Sequence, residues 1–277
     1  MTRRSTILLV LLLGSQIGVG SRAAAQNSLT PVSPRGQTVT PAFEGWYKNR
    51  DGTFVLSFGY FNRNSDEQVD VPVGEDNFIA PGPANQGQPT HFYSRRHWGV
   101  FGVTVPADFG DKKVAWTLRL RGQTVVISGS LNPDWQIDAL EGEATADNSP
   151  PSLAFSEGGT YAQGPLGIAT GPIAAKVGVP LVIPLWVKDD GKVEPVVRGP
   201  GSPVALRWFL HQGAGEVRFA PDSIKLTPTG GTASTSVTFS QPGDYLLRVR
   251  TNDSPVASAG HAQCCWTNGF VRVTVAP

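Results

Sequence analysis

The sequence predicts an all-β protein built from two β-sandwich modules, and three observations carry that prediction. Strand-sized runs of alternating apolar and polar residues recur along the chain, as at 54–60, 114–120 and 181–188. Thirty-two Gly and 23 Pro among 277 residues leave few long windows free of a helix breaker. The third is the turn Gln241-Pro242-Gly243-Asp244, where Pro pre-sets φ and Gly admits φ > 0. Val237 and Phe239 before it, and Tyr245, Leu247 and Val249 after it, fall on one face. Arg248 and Arg250 fall on the other face and are expected in water.

Taken in order, residues 1–25 read as a cleavable signal peptide. Arg3 and Arg4 give a basic start, Ile7–Leu13 is an uninterrupted apolar run, and Ala23-Ala24-Ala25 offers a small-residue cleavage site. The run is too short to span a bilayer, no other stretch could cross one, and no Cys follows that could be lipidated. The expected location is therefore secreted or periplasmic. Cleavage removes three arginines and no acid, leaving 252 residues with 20 basic and 22 acidic side chains. A net charge of −2 argues against nucleic acid or another polyanion as the main partner.

Residues 26–40 are polar and aperiodic and read as an extended leader. The first module, 41–147, begins with a strand whose inner face is Phe54, Leu56, Phe58 and Tyr60. Short strands at Val69–Val73 and Phe101–Val105 follow. Val114, Trp116, Leu118 and Leu120 then alternate up to a turn at Gly122-Gln123, which leads into Val125–Leu131. Asp147-Asn148-Ser149-Pro150-Pro151 opens a linker, 148–171, in which paired prolines favour an extended spacer. The second module, 172–277, has strands led by Leu181, Val204, Val217, Ala233, Tyr245 and Val271. Pro184 inside the first of them predicts an edge position or a bulge. A Tyr just after a Gly-Asp corner, at the mouth of an apolar strand, matches the tyrosine corner of immunoglobulin-like sandwiches. Both modules are accordingly expected to be immunoglobulin-like.

The second module resembles the PKD-like modules of bacterial surface and secreted proteins. The matching residues are Leu206-Arg207-Trp208, Gly213-Ala214-Gly215, Phe239–Tyr245, Leu247-Arg248-Val249, Asn252-Asp253 and Val271–Val275. In the first module, Gly59-Tyr60-Phe61-Asn62, Val71–Gly74, Asn77 and Gly87–Phe92 resemble a poorly characterised module of secreted bacterial proteins. Neither resemblance implies catalytic residues.

Chemistry is sparse. The sequence holds no Gly-x-Ser-x-Gly, no His-Glu-x-x-His and no phosphate-binding Gly-Lys-Ser/Thr loop. Asn62-x-Asn64-x-Asp66 begins like a calcium loop, but Glu67 replaces the turn Gly and Val73 the bidentate Glu. The densest patch is His91-Phe92-Tyr93-Ser94-Arg95-Arg96-His97-Trp98, where His91, Tyr93, Arg95, Arg96, His97 and Trp98 suit a carboxylate- or sugar-bearing partner. A plainer reading has Phe92 and Trp98 closing the core, with Arg95 and Arg96 solvated. Trp46 and Trp266 are further aromatic binding candidates, although an aromatic placed like Trp46 more often plugs the end of a sandwich. Sixteen residues separate Asp253 from Phe270, and they hold both cysteines. Cys264 and Cys265 are adjacent, and export favours a disulfide between them in an exposed loop. As free thiols they would instead pack under Trp266, and as thiolates they would form, with His261, a soft-metal site.

These observations lead to an exported, non-catalytic binding, adhesion or scaffolding protein that uses no cofactor. Its partner would be a surface or envelope protein or a glycan. The alternatives are a periplasmic metal- or redox-handling protein centred on Cys264-Cys265, and a secreted enzyme using the His91–Trp98 patch.

Overall fold

The computed structural model describes residues 33–140, 148–192, 203–253 and 264–277. Residues 1–25, expected as a signal peptide, residues 26–32 of the expected leader, and His261 lie outside them. No helix among the described residues is long and apolar enough to cross a membrane.

The first sandwich is built from β1 (Val39–Lys48), β2 (Phe54–Asn62), β3 (Val69–Asp70), β4 (Asn77–Ala80), β5 (His91–Phe92), β6 (Arg95–Val105), β7 (Val114–Leu120) and β8 (Gln123–Gly129). One sheet runs β1-β2-β6 and the other β4-β7-β8, with β3 and β5 as a short ribbon. This is the A-B-E and C-F-G order of an immunoglobulin sandwich. Between the sheets Phe58 stacks on Phe101 at 5.4 Å, and Trp116 meets Phe101 edge-on at 5.1 Å. Trp116 Nε1 donates to Asn77 Oδ1 at 2.9 Å, while the Asn77 amide donates to the carbonyls of Val71 and Pro89. One buried Asn thus ties the core to two loops. β7 and β8 are joined by Arg121-Gly122, both at positive φ, as a two-residue hairpin turn demands.

The expected alternation along β2 is only half the pattern, because Val55 and Ser57 are buried as fully as Leu56 and Phe58. Val55 packs with Tyr47 and Ala139, against which Leu166 also lies, so the chain beyond β8 covers the sheet's outer face.

The second sandwich comprises β9 (Ser152–Ala154), β10 (Ile168–Lys176), β11 (Leu181–Lys188), β12 (Ala205–Gln212), β13 (Val217–Ala220), β14 (Ser223–Lys225), β15 (Gly230–Phe239), β16 (Gly243–Asn252) and β17 (Trp266–Ala276). Part of the segment expected as a linker is therefore integrated here as β9 and the start of β10. The sheets run β9-β11-β15-β13 and β10-β17-β16-β12-β14. β9-β11-β15 and β10-β17-β16-β12 stand as A-B-E and A′-G-F-C of an immunoglobulin sandwich, with β10 parallel to β17. β13 beside E and β14 beside C take the D and C′ places in reversed chain order. Pro184 sits on the part of β11 that β9 does not reach, where its missing N–H removes no ladder bond on that side. At the corner, the Tyr245 hydroxyl lies 2.7 Å from Ala214 O and 2.8 Å from Gln241 O and donates its one proton between them.

Arg248 does not face water. It is 2 % exposed, and Phe209 and His211 on the same outer face of β12 and β16 are equally buried. That face packs against the first sandwich.

Candidate functional site

The seam between the sandwiches brings together a cluster of aromatic and basic residues. β5 and β6 bring in Tyr93, His97 and Gly99 from one side. β12, β16 and β17 present Phe209, His211, Arg248, Trp266 and Asn268 from the other. The bonds crossing it are short and numerous. Leu210 N donates to the Tyr93 hydroxyl at 2.8 Å, and Thr90 N to His211 O at 2.8 Å. The His211 ring nitrogen Nε2 lies 2.7 Å from Gly87 O, and the Gln212 amide donates to Gln88 O at 2.6 Å. Asn268 Nδ2 donates to Gly99 O at 2.7 Å and to Pro165 O at 2.8 Å. Polar groups taken out of water must be paired in this way, and here the pairing ties one sandwich to the other.

Gly99 is the close-approach point. Its φ is +47°, and a Cβ built there would stand 2.2 Å from Trp266 Cζ2. It belongs to a bulge in β6. Between the pairs Phe58–Phe101 and Tyr60–His97 the register shifts, and the bulge sets Gly99 against the second sandwich.

Phe209 is the centre of the seam. Tyr93 and His97 meet it edge-on at 5.3 and 5.8 Å, and the Arg248 guanidinium lies 4.5 Å from its ring centroid. Burial, reinforced by Arg248, drives the pKa of His97 and of His211 down to about 3, so both rings stay neutral.

The residues singled out from the sequence are dispersed. Tyr93 and His97 lie 6.0 Å apart within the seam, and His91 stands 4.7 Å from Tyr93. His91 Nδ1 reaches Asp70 and Nε2 reaches Gln68, each at 2.7 Å. Arg96 is not solvated. It pairs with buried Glu44 at 2.7 Å, donates to the carbonyls of Tyr60 and His97, and stacks 3.7 Å over Trp98. Arg95 alone of this run is exposed. Trp46 plugs one end of the first sandwich, with its indole N–H on Asn132 O at 2.7 Å. Trp266 is buried over Gly99 rather than offered to a ligand.

Cys264 and Cys265 are joined by a disulfide. Contrary to the expected exposure they are 2 % and 0 % exposed, and they pack with Trp266. Bonded sulfurs offer no thiolate to a metal. No group of three or more His, Cys, Asp or Glu among the described residues is arranged to hold one.

Near this pair Asp253, at the end of β16, is 2 % exposed, and neither of its oxygens makes a well-formed hydrogen bond. Burial, then the neighbouring Asp189 carboxylate, raises its pKa to about 7 against a pull from the Asn148 side chain. Asp189 itself is raised to about 6, again chiefly by burial.

No family model matches the chain. No curated protein matches it either. Among solved structures, the D00-D0 domain of intimin aligns over 87 % of this chain and 100 % of its own, at 11 % identity and a TM-score of 0.28. The adhesin InvE of Yersinia pseudotuberculosis aligns over 85 % of this chain and 58 % of its own, at 12 % identity and 0.24. PapD-like domain 7 of human CEP192 aligns over 47 % and 87 %, at 9 % identity and 0.29. Overlaps this loose bear no argument about function, and the immunoglobulin-like assignment rests on the strand orders above.

Proposed function

We propose that this chain is an exported, non-catalytic recognition protein of the cell envelope or extracellular space. Its two sandwiches act as one rigid body that binds a surface protein or a glycan. The observation that carries this reading is the seam. Tyr93, His97 and His211, which would suit an active site, are spent on holding one sandwich against the other. The histidines support it further. A general base needs access and a pKa near the working pH. His97 and His211 are buried and held neutral down to about 3. His91 resembles the base of a His–Asp pair, but Gln68 Oε1 sits 2.7 Å from its outward nitrogen, where a nucleophile would stand. The joined cysteines accord with an oxidising compartment.

Two measurements test the proposal. The native protein, recovered by cell fractionation, should come from periplasm or medium with its N-terminus near Gln26. It should show no free thiol before reduction and two after. Full-length cytoplasmic protein with two free thiols overturns the exported part. Residues 26–277, labelled, should bind whole cells or envelope fragments saturably. Binding that rises linearly without saturation removes the recognition part.

A further inference from the structure

We propose that Arg207, Arg248 and Arg250 form a binding site for an oxyanion group, a sulfate, phosphate or carboxylate, presented to the seam from solution. The inference rests on the recognition reading for its biological setting, but its physical basis is independent of it. In the β12–β16 ladder Arg207 stands directly opposite Arg250, and Phe209 opposite Arg248. Residues directly opposite share a face, and like charges so placed repel. The Arg207 and Arg248 guanidinium carbons lie 5.5 and 4.5 Å from the centroid of the Phe209 ring, so two cations converge on one aromatic.

Among the described residues no carboxylate pairs with this charge, and Asp70, which bears on Tyr93 from the first sandwich, is paired with His91. The ion pairs among the described residues are His91–Asp70, Arg96–Glu44 and Arg121–Glu67, and none involves these three arginines. Arg248 Nη1 donates to Asn268 Oδ1 at 3.2 Å, a neutral acceptor. Nε of Arg248 and Nε of Arg250 are buried with no partner. The nearby phenols of Tyr60 and Tyr93 cannot serve as anions, because burial holds both protonated. His97 is neutral, so the unmatched positive charge resides on the arginines alone.

A buried guanidinium is ordinarily paired, and an unpaired one is a strong liability. The cation–π contact with one ring offsets only part of that. The cluster is also open on one side. Arg207 is exposed, Arg250 is half-buried, and Arg248 lies behind them. An oxyanion entering over Arg207 would meet forked N–H donors whose geometry matches its oxygens. It would bind first at exposed Arg207 and half-buried Arg250, and supply the missing counter-charge to buried Arg248 from there. The oxyanion has two sources of the same chemistry, a free inorganic ion or a group on an acidic glycan.

The test uses residues 26–277 with inorganic sulfate, heparin oligosaccharide and uncharged dextran at matched ionic strength. Sulfate is kept at low millimolar concentration, where its general exclusion from protein surfaces is small. Saturating anion should raise the melting temperature by roughly 5–10 °C at 100-fold excess over Kd. Arg207→Ala removes only an exposed side chain, so it should keep the fold and weaken binding at least ~10-fold. Arg250→Lys keeps the charge but loses the fork, and should weaken binding less than Arg207→Ala. Heparin binding more than ~10-fold tighter than sulfate assigns the site to a glycan, and equal affinities assign it to a free ion. Equal melting temperatures in sulfate and chloride, with heparin binding indifferent to Arg207→Ala, overturn the proposal. Saturable cell binding without anion binding would sink this inference and leave the recognition reading standing. Anion binding without cell binding would do the reverse.

Discussion

Gly99→Ala is the most direct perturbation of the seam. The glycine sits at φ +47°, and the new Cβ would stand 2.2 Å from Trp266 Cζ2, 2.7 Å from Cε2 and 2.8 Å from Nε1. The indole cannot swing aside freely, because it is buried against the Cys264–Cys265 pair. A left-handed backbone costs an alanine about 1–2 kcal/mol. Forcing a methyl into a packed interior costs about 1–3 kcal/mol more. The Gly99 carbonyl also accepts from Asn268 Nδ2 at 2.7 Å and from Trp266 Nε1 at 3.4 Å, and a shifted bulge would loosen both. A loss near 3 kcal/mol should lower the melting temperature of the body spanning Ser33–Pro277 by roughly 6–12 °C. The control is Gly52→Ala, with φ +89° and nothing within 4 Å of its Cβ, which incurs the backbone cost alone. Calorimetry should show one transition in the native protein. In Gly99→Ala it should show a lower transition, or two once the sandwiches uncouple. If Gly99→Ala melts within 1 °C of the native protein, or no lower than Gly52→Ala, the seam does not hold the sandwiches together as described.

Two further predictions concern charge and the corner. Asp253 binds its proton more tightly folded, at about 7, than unfolded near 3.8, so stability falls as pH rises through that window and the full penalty stands above it. Asp253→Asn should therefore stabilise the protein by a few kcal/mol at pH 8 and leave it unchanged at pH 4, checked by urea unfolding at both. Tyr245→Phe removes the proton shared by the Ala214 and Gln241 carbonyls and should cost about 1–2 kcal/mol in the same assay, with the fold retained by circular dichroism.

Local pattern was enough to read the strongly alternating strands, because period-2 alternation and turn chemistry are properties of neighbouring residues. β1, β4, β9 and β10 carry too weak an alternation to be read as strands from it. Phe54–Tyr60, Val114–Leu120 and the Tyr245 corner lie where that pattern puts them. It was not enough for the faces. Arg248 reads as solvated because it alternates with Leu247 and Val249, and only the approach of the first sandwich buries it. One local signal did point there. Trp208-Phe209-Leu210 is an unbroken apolar run, which marks a strand buried on both faces. The His91–Trp98 patch was legible as a concentration of aromatics and cations. Its orientation was not, since the β6 bulge changes which side chains point into the sheet and which toward the seam. The depth of Cys264 and Cys265 depends on packing against Trp266 and Asn148, a contact spanning 117 positions that no sequence window contains.

Two of the three unanswered arginines of the second sandwich and the unpaired Asp253 lie on or just beyond one strand. Arg248 and Arg250 lie on β16, and Asp253 follows its last residue. Opposite signs so near in sequence invite the idea that they cancel. At about 3.3 Å per residue, three to five residues along an extended strand place them roughly 10–16 Å apart. Burial of Arg248 and Arg250 lowers their pKa values while burial of Asp253 raises its own, each driven chiefly by its own desolvation rather than by the other sign of charge. The two sites are therefore separate electrostatic problems. The arginines ask for an anion at the seam, and the carboxylate asks for a proton at the sandwich end. Changes at sites this far apart with no shared partner add almost independently. Anion-dependent melting and pH-dependent melting thus report on different ends of one strand, and neither can stand in for the other.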